Sequence, residues 1–244
     1  MEIVQSRLLA AFPHGFTTRE GGVSPPPFSS LDLGGGAAGD DPGRVAENWE
    51  RLRRQTGLAF GRVRQVHGAR VVIDPAPGEP REEADAVVSR VPGQAACVSV
   101  ADCVPILIAD PASGAVAAVH AGWRGTLARI AAEATRALAR AAGARPEALL
   151  AAVGPSIGRC CYEVSPELAG RFREEFGAEV VGSEERPHLD LWSANRRALL
   201  AAGLDPENIE ILGLCTSCAP ARFFSHRRDA GRTGRQVGFI APLP

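Results

Sequence analysis

The order of segments along the chain predicts an α+β fold with mixed β-sheets and packed helices. Several apolar runs rich in β-branched residues, bounded by Gly or Pro, read as strands. Several stretches with apolar residues at helical spacing end at Gly and read as helices. The two kinds follow one another without the strict alternation of a doubly wound parallel sheet. With 244 residues, 45% of them hydrophobic and 23% charged, the chain has a globular composition. No internal repeat of about 20–50 residues is visible, so a single domain over residues 1–244 is expected.

From Phe16 through Pro25-Pro26-Pro27 to Gly36 the chain is rich in Gly, Pro and Ser and reads as loop. Asp41-Pro42 then supplies an N-cap and first-turn pair. Val45, Trp49 and Leu52 mark a helix that runs to Thr56, and Gly57 stops it. Strands are expected at 62–73, 95–109 and 115–119. A polar, Pro-containing loop at 75–83 leads into Ala84-Asp85-Ala86-Val87-Val88. After the glycine turn His120-Ala121-Gly122-Trp123-Arg124-Gly125, the clearest helix is expected over 126–142, ending at Gly143. A strand at 149–153, helices at 166–176 and 191–202, and a last strand near 209–214 complete the reading. An Arg-rich loop is expected from there to the C-terminus.

Composition removes several function classes. The 27 basic residues against 28 acidic give a formal charge of -1, far from the basic footprint that nucleic-acid binding requires. Every basic residue is Arg, so no lysine is present for a Schiff base or a P-loop. No run of about 18 apolar residues predicts a membrane span, and the N-terminus lacks a secretory pattern. A cytoplasmic protein is expected, in which six cysteines are thiols or ligands rather than a disulfide scaffold.

Three segments carry chemistry: Gln65-Val66-His67-Gly68, Ala101-Asp102-Cys103-Val104-Pro105 and Val119-His120-Ala121-Gly122. Each sets a borderline or soft ligand beside Gly or Pro. Zinc accepts imidazole and thiolate, and three protein ligands leave one tetrahedral position open for water or substrate. His67, Cys103 and His120 are therefore a candidate set for which zinc is chemically reasonable, with Asp102 as a carboxylate that orients an imidazole or shuttles a proton. Against this, a single His beside an apolar run is commonly a hydrogen-bonded core residue.

The motifs Thr18-Arg19-Glu20-Gly21-Gly22-Val23-Ser24, Leu31-Asp32-Leu33-Gly34, Gln65-Val66-His67-Gly68, Ala101-Asp102-Cys103 and His120-Ala121-Gly122-Trp123-Arg124-Gly125 occur in order. Gly154-Pro155-Ser156-Ile157-Gly158 and Phe223-Phe224-Ser225-His226-Arg227-Arg228-Asp229 follow them. With these the chain resembles the YfiH-type family, also called the laccase-domain or multicopper polyphenol oxidoreductase family and described as purine nucleoside phosphorylases. The resemblance implies a YfiH-like domain with zinc on His67, Cys103 and His120. It also implies phosphorolysis of adenosine, inosine, guanosine or methylthioadenosine to base and pentose 1-phosphate, with adenosine deaminase activity at the same site.

Purine nucleosides and phosphate are thus the expected partners. In a chain without lysine, Arg19, Arg124 and Arg228 are the expected phosphate ligands, because a guanidinium donates bidentately to oxyanions. Rival readings use the same residues. Cys103 as nucleophile and His120 as base would make a cysteine hydrolase, and the family is also linked to editing of UDP-muramoyl peptidoglycan precursors. A copper laccase is the third reading, and five histidines are few for it. His226 is a loop residue of the pocket wall or a general acid. Cys97 is expected in the core. Cys215-Thr216-Ser217-Cys218 has C-x-x-C spacing without a second such pair, and Cys160-Cys161 are adjacent, so a structural or incidental role is expected for these.

Overall fold

The computed structural model describes residues 1–34, 39–78, 80–183 and 185–243. Gly35 and Gly36 of the expected first loop, and Glu79 of the second, lie outside the described residues. The first half of the chain forms β1 (Ile3–Val4), β2 (His14–Thr17), α1 (Pro42–Thr56), β3 (Ala59–Gly61), β4 (Val71–Ile73), β5 (Ala86–Ser89), β6 (Gln94–Val100), β7 (Val104–Ala109) and β8 (Val116–Ala121). The second half forms α2 (Trp123–Leu127), α3 (Ile130–Ala142), β9 (Leu150–Val153), α4 (Pro166–Phe176), α5 (Leu191–Ala201), β10 (Ile209–Ile211) and β11 (Gln236–Ile240).

Two mixed sheets result. The first has the order β1-β2-β11-β6-β3 and the second β10-β9-β7-β8-β5-β4. They pack face to face, because alternate residues of each strand turn to opposite sides. In β7, Leu107 and Ala109 join Phe16, Val98 and Ile240 between the sheets. Val104, Ile106 and Ile108 turn the other way, to meet Leu138 of α3 and Leu199 of α5. The outer face of the first sheet is covered by Trp49 and Leu52 of α1, which pack on Phe60 and Phe239. Helix, sheet, sheet and helix form four layers.

Local chemistry explains the element boundaries. In α1, Asp41 accepts from the Arg44 amide and Gly57 takes the left-handed conformation that closes the last turn. The α4 helix occupies the expected span, with Ser165 accepting from the Leu168 amide.

Several expectations are corrected. The stretch 62–73 is a strand only at Val71–Ile73, because the Asp85 carboxylate gathers the amides of Val66, His67 and Gly68 into a turn. The run 95–109 breaks at Asp102, whose φ of 82° cannot continue a strand. The 126–142 helix begins earlier, at Trp123, and is interrupted at Arg129 with φ 58°. Phe16 and Thr17 of β2 and the whole of β11 lie in stretches expected as loop, and β1 falls where the sequence predicts no element. These strands are short, and β11 is buried throughout between β2 and β6, so tertiary pairing rather than local pattern decides them.

Candidate active site at the end of the paired strands

The site lies where β5, β7 and β8 end. The antiparallel register sets Ala86 opposite Val119. One step outward Asp85 faces His120, and the His120 amide donates to the Asp85 carbonyl at 2.7 Å. Both side chains thereby turn to the same side. His120 Nδ1 lies 2.8 Å from Asp85 Oδ1, in a pair that is 4% and 0% exposed. The same carboxylate accepts from the amides of His67 at 2.9 Å and Gly68 at 2.6 Å. One buried charge thus fixes both histidines, one through its ring and one through its backbone. Charge-assisted bonds of this kind are each worth about 1.5–3 kcal/mol.

Cys103 stands in the turn between β6 and β7. Its Sγ is 3.9 Å from His67 Nε2, and the rings of His67 and His120 meet edge to face with centroids 4.8 Å apart. The donor atoms of His67, Cys103 and His120 all lie within 4.8 Å of one another. Gly122 makes that approach feasible: a Cβ there would fall 2.9 Å from both Cys103 Sγ and His67 Cδ2. With φ of -70°, this glycine is required by space and not by backbone conformation.

The electrostatics follow from the contacts. Burial alone would raise the Cys103 thiol, but the facing charge and hydrogen bonds of His120 and His67 bring its pKa down to about 6. Burial likewise opposes a charge on His120, and Cys103 and Asp85 together raise its pKa to about 9. Asp85 is held below the ordinary carboxylate range, against burial, by His120 and the Gly68 and His67 amides. Two imidazoles and a readily ionised thiol suit a borderline divalent ion. A carboxylate behind one imidazole is the usual support for such a ligand. The residues therefore fit a metal of the zinc class.

His67, Cys103 and His120 line a cleft of about 890 Å³, together with Tyr162, Trp123 and His226, a size typical of small-molecule sites. Arg124 lines it, with its guanidinium 4.3 Å from the Trp123 ring. Arg62, Arg64, Arg227 and Arg235 also reach it.

Three expected residues stand differently. Arg19 is not on the cleft: its guanidinium binds the carbonyls of Ser29 and Pro220 at 2.7 and 3.0 Å and covers the Phe224 ring. Arg228 is spent on Asp229 and on the carbonyls of Thr216 and Phe223. Asp102 lines the cleft but orients no imidazole: its oxygens accept from Thr216 Oγ1 and the Arg227 amide, both at 2.6 Å. Asp85 takes that place. The sequence carried one signal for it, an acid at the head of the apolar run Ala86-Val87-Val88, where burial demands a partner. Cys97 is in the core as expected, 1% exposed.

The mixed-sheet architecture has close counterparts. The crystal structure of YlmD from Geobacillus stearothermophilus matches with a TM-score of 0.91 at 34% identity, over 98% of this chain and 94% of that one. A purine nucleoside phosphorylase of Deinococcus radiodurans is 45% identical over 234 residues, covering 94% of this chain and 89% of its own. Purine nucleoside phosphorylase LACC1 of Mus musculus is 38% identical over 252 residues; the match takes in 99% of this chain and 58% of the mouse protein. A family model described as multi-copper polyphenol oxidoreductase laccase matches residues 13–242. That span holds both inner strand faces and the three converging donors, and on it the chain belongs to the multi-copper polyphenol oxidoreductase laccase family.

Proposed function

We propose that the chain is a zinc-dependent purine nucleoside phosphorylase that also deaminates adenosine, working in the cytoplasm, where thiolate ligands stay reduced. The carrying observation is the convergence of His67, Cys103 and His120 at an arginine-walled cleft large enough for a nucleoside. The relatives named purine nucleoside phosphorylase support it. In phosphorolysis a phosphate oxygen bonds to the anomeric carbon while the bond from that carbon to the purine nitrogen breaks. The electron pair and one proton go to the departing base.

Arg124 is the guanidinium that presents phosphate, and Trp123 and Tyr162 offer flat faces to the purine. His226, exposed on the cleft wall, is the imidazole that donates to the departing base. Asp102 keeps the wall in place by tying Thr216 to the Arg227 amide. Zinc on His67, Cys103 and His120 supplies Lewis acidity for either reaction.

Adenosine is incubated with the zinc-loaded protein with and without phosphate, and the products are separated chromatographically. Adenine release that needs phosphate and disappears in Cys103→Ala supports the reading. No product from any purine nucleoside overturns it.

A second reading rests on one observation, the Cys103 thiol brought down to about 6 beside His120 and Asp85. Nucleophile, base and orienting carboxylate are the parts of a cysteine hydrolase, for which UDP-muramoyl peptides are the substrates to test. That activity would survive a chelator and be lost to a thiol alkylator, the reverse of the chelator response expected here.

A further inference from the structure

The parallel pair β9 and β10 continues past its ladder. Ser156 bridges to Cys215, and the Thr216 amide donates to the Ser156 carbonyl at 3.0 Å. Two turns are laid side by side in consequence, one containing Cys160 and Cys161 and the other Cys215 and Cys218. The four Sγ atoms all lie within 4.8 Å of one another. Cys218 Sγ is 3.5 Å from Cys160 Sγ and 3.4 Å from Cys161 Sγ, and Cys215 Sγ accepts from the Gly158 amide at 3.3 Å. Adjacent cysteines need not diverge: the turn at Gly158, whose carbonyl accepts from the Cys161 and Tyr162 amides, brings both sulfurs to the same partner. All four are free thiols.

We propose that Cys160, Cys161, Cys215 and Cys218 form a second metal site, a closed tetrathiolate that holds one zinc ion. With Zn–S bonds of about 2.3 Å, a tetrahedron of sulfurs has edges of about 3.8 Å; Cys218 Sγ lies within about 0.4 Å of that distance from Cys160 and Cys161, and no pair of the four is more than 4.8 Å apart. Four thiolates select a soft or borderline ion with tetrahedral preference. A set of four protein ligands leaves no position for substrate, so the site is structural. Binding displaces the thiol protons to solvent.

The position of the site gives it a task. Thr216, inside the second turn, donates to Asp102, next to the Cys103 ligand, and its carbonyl receives Arg228. Ile157, just before the first turn, donates its amide to the Asp102 carbonyl. Zinc across the two turns therefore clamps the wall of the cleft from behind. The inference stands independently of the reaction proposed above.

The test uses the full chain, loaded with zinc and dialysed, and compares the parent with Cys160→Ser/Cys218→Ser and with Cys103→Ser. Two zinc ions per parent chain are expected, and one in each variant, with different ions lost. Cys160 and Cys218 are exposed, so their replacement spares the core. Cobalt loading of Cys103→Ser reads the cluster without touching it: the strong sulfur-to-cobalt charge-transfer band of four thiolates is expected. Equal zinc in the parent and the double variant overturns the proposal. So does a cobalt spectrum of Cys103→Ser without that band. Mass mapping that finds these four cysteines in disulfides in the protein as purified overturns it as well.

Discussion

Asp85 Oδ1 sits 2.8 Å from His120 Nδ1 while the same carboxylate accepts the His67 amide. One carboxylate thus sets the direction of two imidazoles that stand 53 residues apart in the chain. Replacing Asp85 by Asn keeps the size and one acceptor oxygen but removes the charge. Loss of such a carboxylate behind a ligating histidine typically costs about 10–100-fold in metal affinity. Competition of Asp85→Asn against a chelator of known affinity is expected to show a drop of that size, with the β-sheet circular dichroism unchanged.

Gly122→Ala tests the packing of the donors. Its Cβ would fall 2.9 Å from Cys103 Sγ and His67 Cδ2, nearer than real Cβ contacts permit, and neither donor can retreat without leaving the other two. Metal binding at this centre is expected to be lost while the chain stays folded. Gly170→Ala in α4 is the control. A Cβ there meets nothing within 4 Å, so the change should raise stability by up to about 1 kcal/mol through helix propensity alone.

Cys103 offers a chemical readout. In metal-free protein its thiol ionises near pH 6 instead of the ordinary 9.0, and the thiolate is the form that alkylates. The rate of iodoacetamide labelling at Cys103 is expected to rise through a midpoint near pH 6. Burial pushes Cys97 up to about 12, so that thiol should stay unlabelled over the same range. Zinc should suppress labelling of Cys103. A midpoint near 9.0 would contradict the facing-imidazole account.

Arg124 and Arg228 separate function from scaffolding. Arg124 is exposed on the cleft, so Arg124→Gln should raise the KM for phosphate with little change in Tm. Arg228 bonds Asp229 and the backbone carbonyls of Thr216, Ser217 and Phe223, and Arg228→Gln strands those acceptors in a half-buried loop. A stability loss of about 1–3 kcal/mol is expected, read as a lower urea midpoint. Unaltered stability in Arg228→Gln would return that residue to the list of phosphate ligands.

Legibility in the sequence tracked locality. The α1 helix was readable because Asp41, Pro42 and Gly57 carry their capping chemistry within the helix itself. His67, Cys103 and His120 were readable as a set, since each sits beside a Gly or Pro that bends the chain. Asp85 was not, because its role arises from strand register across β5 and β8, which no single segment encodes. The Cys160, Cys161, Cys215 and Cys218 cluster was missed for the same reason: the parallel pairing of β9 with β10 joins turns more than 50 residues apart. Arg19 and Arg228 were assigned by motif membership, and only their hydrogen bonds show that their guanidinium groups are already engaged.

His14 gives a pH dependence remote from any ligand. Its Nδ1–H donates to the Phe12 carbonyl at 2.9 Å, and its Nε2 accepts from the Ser6 amide at 2.9 Å, so both ring nitrogens are satisfied only in the neutral form. Burial is the chief cause that brings its pKa below 6.5, against smaller opposing effects of the Phe12 and Ser6 bonds and of Glu210. The unfolded chain therefore takes up a proton that the folded chain resists. The stabilisation is complete above 6.5 and is lost as the pH falls from there toward the folded value. Tm is expected to fall between pH 7 and pH 5, and His14→Gln should flatten that slope while lowering Tm at pH 7 through the buried groups it leaves unpaired. An identical slope in the variant would assign the acid sensitivity to other groups.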